Sequence, residues 1–169
     1  IENYRLDNKA FGKIKNITEQ IGRLQKFFPT LPETFPHLLE EIKDIEYHKE
    51  IVEKIDKVFN RFGEVKSDAS SILKDLRTEI QHAKKAIQDN FNRALTTYAD
   101  VLEDIRETII DDQRVLAVKS GFKKRVPGRV LGISKTGSIT YIQPESVSRH
   151  YFKLREAEEE EKKEVDKIL

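Results

Sequence analysis

Residues 113–145, QRVLAVKSGFKKRVPGRVLGISKTGSITYIQPE, decide how the rest of the chain is read. Apolar and polar residues alternate here in short runs, whereas the sequence on either side keeps helical spacing. Three strands are predicted, over 114–119, 129–134 and 138–143. Val126-Pro127-Gly128 and Lys135-Thr136-Gly137-Ser138 mark turns. Gly137 suits a positive-φ position, which favours a hairpin between the last two strands. Pro144 ends the last strand, and Glu145-Ser146 leads into a helix. Arg114, Lys119, Lys123, Lys124, Arg125, Arg129 and Lys135 face a single acid, Glu145, so the stretch carries +6 in a chain whose total is +1. A small basic β element thus sits between long helical runs, and concentrated positive charge is what holds a phosphate backbone.

Outward from this element the chain reads as helix. Phe11, Ile14, Ile17, Ile21 and Leu24 predict an amphipathic helix over 7–28, broken by Pro29, Pro32 and Pro36. A second run covers 37–62, with a slip in apolar spacing near Tyr47-His48 and Gly63 as the residue after its C-cap. Ser67-Asp68-Ala69-Ser70-Ser71 offers N-caps for the next helix. No Pro or Gly occurs from 69 to 108, and Ile72, Leu76, Ile80, Ala83, Ile87, Phe91, Ala94, Tyr98, Leu102, Ile105 and Ile109 average 3.7 residues per step. That predicts a nearly straight helix of roughly 60 Å. A returning helix over 146–169 keeps Val147, Tyr151, Leu154, Val165, Ile168 and Leu169 in phase, with Glu158 and Glu161 exposed in its middle. The expected fold is mainly α: a helical bundle over 1–66, an ascending helix over 67–110, a small antiparallel β element over 111–145, and a descending helix over 146–169 antiparallel to the first.

Composition excludes several classes. There is no cysteine, hence no disulfide or thiolate metal site. His37, His48, His82 and His150 are scattered without ligand spacing, so no metal is predicted. No apolar run spans a bilayer and no signal peptide is recognisable, so the expected setting is cytoplasmic, without a membrane partner. The chain begins at Ile1 and contains no methionine, which reads as a piece of a longer protein.

The run Gly128-Arg129-Val130-Leu131-Gly132-Ile133-Ser134-Lys135-Thr136-Gly137-Ser138-Ile139-Thr140-Tyr141-Ile142-Gln143-Pro144-Glu145-Ser146-Val147 resembles the clamp segment of MutS-type proteins. More narrowly, it resembles the second bacterial MutS subfamily, whose members carry a C-terminal Smr nuclease module. Gly63-Glu64-Val65-Lys66-Ser67-Asp68-Ala69-Ser70 through Arg77 is similar to the start of that family's lever helix, and the Glu-rich run ending Val165-Asp166-Lys167-Ile168-Leu169 to its descending lever. The similarity covers 63–169 well and 1–62 weakly. Ala117 stands where the subfamily often has Pro. The resemblance implies a helical core, long antiparallel lever helices and a small antiparallel β clamp at their tip. It further implies a homodimer closing around nucleic acid, driven by an ATPase domain that follows residue 169 and holds ATP and Mg. Its ligand would be duplex or branched DNA in recombination control or repair, or RNA on the ribosome. This piece itself should hold no cofactor and catalyse nothing.

The candidate nucleic-acid contacts are Lys119, Lys123, Lys124, Arg125, Arg129 and Lys135, through phosphates and without sequence choice. The plain alternative is a hairpin kept soluble by its charges. Phe122 and Tyr141 are candidates to stack on an exposed base, set against a role in the hairpin's own core. Gly132–Gly137 is not a phosphate loop, because Lys135 precedes the second glycine and Ser138-Ile139 follows it. Phe62-Gly63-Glu64 reads as a helix end. Asp111-Asp112 and the Glu158–Glu161 run lack converging partners and read as a break in the long helix and as a solvated face. The alternative function is an interaction module whose basic hairpin docks a protein or a ribosomal partner.

Overall fold

The computed structural model describes residues 6–30 and 36–169. Pro32, one of the predicted helix breakers, lies outside them. Two units are distinguished, Asp75–Glu164 and one made of the residues before it together with Val165–Leu169.

In the latter unit α1 (Asn8–Phe27), α2 (Pro36–Lys43) and α3 (Lys49–Val58) match the two predicted helical runs, and the spacing slip at Tyr47-His48 is a real gap between α2 and α3. Asp7 caps α1 by accepting from the Ala10 amide at 2.7 Å. The Phe11 and Phe59 rings lie 5.2 Å apart. Phe59 joins Ile55, Val65 and Leu73 in a small apolar cluster to which Phe11, Ile14, Val165 and Ile168 add area. Gly63 is not the residue after a helix C-cap. The helix ends four residues earlier, at Val58–Phe59, and Gly63 (φ 77°) turns the chain between the bridged residues Phe59 and Val65. Asn60 Oδ1 accepts from the Phe62 and Glu64 amides and holds this turn.

The second unit contains most of α4 (Ser71–Thr97) and α5 (Glu145–Ile168), with a four-stranded antiparallel sheet packed against them. Ser70 Oγ accepts from the Leu73 amide at 3.0 Å, so one of the predicted caps opens α4. Its buried stripe is Leu73, Ile80, Ala83, Ile87, Phe91 and Ala94; Ile72, expected inside, is 55% exposed. Within the second unit Arg77 Nε meets Glu161 at 2.7 Å, Lys84 meets Glu158 at 3.4 Å, and Asn90 faces His150 at 3.4 Å. Position numbers rise along α4 as they fall along α5, so the helices are antiparallel, as expected. Glu158 and Glu161 therefore do more than face solvent. They pair across to α4, while Ala157 and Glu164 take the buried positions beside them.

The long helix stops earlier than its stripe suggests. After α4 comes a 3-10 turn, Ala99–Val101, and then β1 (Leu102–Ile110). Ile105 and Ile109, the last two expected stripe residues besides Leu102, are 77% and 68% exposed. The physical reason lies in the side chains. Val101, Ile105, Thr108, Ile109 and Ile110 are β-branched, stiff at χ1 and better suited to a pleated strand, and β2 (Gln113–Lys119) is ready to pair with them. Asp111-Asp112 is the two-residue turn between β1 and β2, not a helix break. Both residues have positive φ, 48° and 59°, as a type I′ hairpin requires.

The three strands predicted from sequence are β2, β3 (Gly128–Ile133) and β4 (Ile139–Pro144), within one residue at each end. Strand order is β1-β2-β4-β3, and Gly137 (φ 72°) sits in the β3–β4 turn. Leu116, Val118 and Ile142 face α4 and α5, where they meet Phe91, Ala94 and Val147. The opposite face is also buried, with Val115 at 0% and Ala117 at 2% exposure. Curvature explains this. A methyl group placed on Gly132 of edge strand β3 would lie 3.3 Å from Ile110 Cδ1 of the other edge strand, β1. The sheet therefore curls until the Ile110 side chain of one edge reaches across the concave face to the backbone of Gly132 on the other. The irregularity at Leu131 sharpens the bend.

Candidate nucleic-acid interface

The basic residues occupy three places on the sheet. Lys119 ends β2, opposite Ile139, and the Ser120 amide donates to the Ser138 carbonyl at 2.8 Å. That brings Lys119 to the same end of the sheet as the 134–138 turn carrying Lys135. Lys123, Lys124 and Arg125 lie on the 3-10 turn Ser120–Arg125, which carries the chain from β2 past β4 to edge strand β3. Val126, buried in the apolar core, pins this crossing down. Arg129 is on β3 opposite Gln143, about six residues or ~20 Å along the strand direction from Lys135.

All six are exposed, and Lys119, Lys123, Lys124, Arg129 and Lys135 make no ion pair among the described residues. Arg125 differs: its Nη2 lies 2.8 Å from Asp100 Oδ2, and its guanidinium sits 5.9 Å from the Phe122 ring centre. The seventh cation of the stretch, Arg114, is turned inward. Its Nε and Nη2 donate to Glu107 at 2.9 and 2.6 Å, Nη1 donates to Gln88, and the guanidinium stacks 4.2 Å over the Phe91 ring. The charge available to a ligand is thus smaller than the sequence total of +6.

The two stacking candidates separate. Phe122 is 45% exposed on the crossing turn beside Lys123 and Lys124. Tyr141 is half-buried, with its ring beside Gly132 inside the curl. Thr136 and Ser138 place hydroxyls 2.7 Å apart at the tip of the β3–β4 turn, next to Lys135.

One basic row escaped the sequence reading. On the first turns of α5, Arg149, Lys153 and Arg155 are exposed and unpaired among the described residues, and Phe152 between them is 69% exposed. The signal was present in the run Ser146–Arg155, which has three cations and no acid. Beside this row, Tyr98, Pro127, Pro144, Ser148 and Arg149 line a cleft of about 550 Å³. Among the described residues no group of three or more acidic or histidine side chains converges as a metal site, and no helix is long and apolar enough to cross a membrane.

Sequence comparison supplies what geometry alone leaves open. No family profile matches the chain. Endonuclease MutS2 of Carboxydothermus hydrogenoformans is 30% identical over 157 residues, 89% of this chain. The chain belongs to the MutS2 family, as a segment of it. Endonuclease MutS2 of Clostridium kluyveri is 33% identical over 117 residues, 68% of this chain, and that of Thermus thermophilus 26% over 165 residues, 98% of this chain. The chain spans 15–22% of the length of these curated MutS2 relatives. At that coverage the homology extends over the helical units as well as the sheet.

Proposed function

We propose that this segment is the nucleic-acid-embracing arm of a MutS2-like ATPase, with the curled sheet as the surface that holds phosphates. The observation that carries the reading is the set of five exposed cations, unpaired among the described residues, on β2, the crossing turn, β3 and the β3–β4 turn. Spread over ~20 Å, they match the scale of several successive phosphates at ~3.4 Å per strand rather than one bound anion. Lysines and arginines that meet phosphates hold the backbone and carry no sequence information, so contact of this kind is indifferent to sequence. ATP and Mg would act in the parent protein beyond this segment, and a homodimer would bring two such arms around branched or duplex DNA in recombination control.

Exposed Ile105 and Ile109 on β1 favour the rival, a protein-docking sheet. They lie on the edge opposite the one that carries Arg129, so the two readings put the ligand in different places. Replacing Lys123 and Lys124 with Gln should lower duplex DNA affinity several-fold at moderate salt, while Lys162→Gln with Lys163→Gln on α5, where Lys163 already pairs with Glu160 at 2.7 Å, should not. Equal reductions from both pairs, or none from either, would leave the docking reading standing.

A further inference from the structure

We infer that the outer face of α5 is a second nucleic-acid contact, built to stack Phe152 on an unpaired base while Arg149, Lys153 and Arg155 hold the adjoining phosphates. It deepens the nucleic-acid reading and rests on it for the class of ligand, but on different residues. Four observations support it. Arg149, Phe152 and Arg155 fall at three-residue steps, which align as one row along a helix, and Lys153 lies beside Phe152. Phe152 is 69% exposed, on a helix whose inward positions Val147 and Ala157 are 0% and 4% exposed. The packed face thus had no need of it. None of the three cations is paired among the described residues, although Glu145 and Glu156 lie on the same helix and are exposed. The positive potential is felt locally: desolvation, then Arg149 and Lys153, hold the His150 imidazole below its ordinary range.

The row also adjoins the sheet surface. Gln143, opposite Arg129 on β3, accepts from Ser148 Oγ at 3.0 Å, and Arg149 is the next residue. A strand following Arg129 past the cleft beside Pro127 therefore reaches Arg149 on α5, passing the exposed Glu145 that also lines that cleft. Lysines and arginines alone would serve duplex and single strand equally. An exposed ring does not serve a duplex, whose bases are already stacked, but it gains from a base that lacks a neighbour. The ligand class that this row selects is single-stranded nucleic acid, including the unpaired nucleotides at a branch point.

The chain has no tryptophan, so Phe152→Trp places one indole at the site. Its fluorescence should be quenched, saturably, by a short oligothymidylate and little by a blunt duplex of equal length. Phe152→Leu should weaken oligothymidylate binding by about 5- to 150-fold, the range found when one base–aromatic stack is removed, and leave duplex affinity unchanged. Phe152→Tyr should retain the parent affinity. Absence of quenching, or a Phe152→Leu variant that binds oligothymidylate as the parent does, overturns the inference. If Lys123→Gln with Lys124→Gln still lowers duplex affinity in that case, the sheet reading survives alone. If the parent chain binds neither form, both readings fail.

Discussion

Arg125 on the turn that crosses from β2 to β3 is bound to Asp100, which lies just before β1: Nη2 and Oδ2 are 2.8 Å apart. The exposed basic cluster Lys123-Lys124-Arg125 is thereby partly neutralised by the protein itself. An ion pair this open to solvent contributes about 0–1 kcal/mol to stability, so it can be removed without unfolding the sheet. Asp100→Asn should free Arg125 and remove a nearby negative charge. Duplex DNA affinity should rise at low salt, and the salt dependence should steepen by up to about one phosphate's worth, ~0.9 in slope. Titration at several salt concentrations checks this; an unchanged or weakened affinity would mean that the crossing turn is not at the phosphates.

Arg114 should behave in the opposite way. It donates to Glu107 and Gln88, covers the Phe91 ring, and its backbone amide donates to the Tyr151 hydroxyl at 2.9 Å. Arg114→Gln should cost about 1–3 kcal/mol by removing charge-assisted hydrogen bonds that are only partly solvated. The denaturation midpoint should fall at constant m-value. At temperatures where the variant is folded, duplex affinity should match the parent.

The β1–β2 turn holds two aspartates at φ 48° and 59°, a conformation that costs an L-residue energy. Asn-Gly is the pair best suited to this turn. Asp111→Asn with Asp112→Gly should stabilise the protein by up to about 1 kcal/mol, the relieved left-handed strain less the entropy glycine loses on folding, visible as a rise in melting temperature. A fall would mean that the aspartates make compensating interactions.

His150 ties stability to pH. Its ring lies against Asn90 of α4, and burial, then Arg149 and Lys153, hold its pKa below 6.5. The unfolded chain therefore binds a proton at higher pH than the folded one. The stabilising contribution is complete above about pH 6.5 and is lost as pH falls through the folded-state value. His150→Gln should flatten the difference in denaturation midpoint between about pH 7.5 and about pH 5. An equal pH dependence in parent and variant would refute the assignment.

How far the fold was legible follows from where its signals lie. β2, β3 and β4 were marked by alternation and by Pro and Gly, so their ends agree to within a residue. β1 was hidden because Leu102, Ile105 and Ile109 happen to continue the helical step of Phe91 and Ala94, and no glycine or proline marks the end of α4 at Thr97. Pairing with β2, a non-local term, decides that segment. The start of the stripe is displaced by one position, since Ile72 and Leu73 are equally apolar and only packing shows that Leu73 is inside. Charge was legible in sum but not in availability. Nothing local in Arg114 or Arg125 announces Glu107 or Asp100 as partners. The α5 row around Phe152 was readable as a run of cations without acids, but an amphipathic helix is equally consistent with a buried phenylalanine, and only exposure separates the two.

The central claim, that the sheet's free cations hold phosphates, is tested most directly by the salt dependence of duplex binding. Lys123 and Lys124 are exposed and unpaired among the described residues, so replacing both with Gln removes two charges at little cost to folding, within about ±0.5 kcal/mol each. Circular dichroism confirms the fold first. The parent should bind duplex DNA with a dissociation constant on the order of 10⁻⁴–10⁻⁶ M at physiological salt, regardless of sequence. Log affinity should fall linearly with log salt, and the double variant should flatten that slope by nearly 2 units, about 0.9 for each phosphate no longer neutralised. A variant that binds as tightly as the parent, with the same slope, would contradict the account.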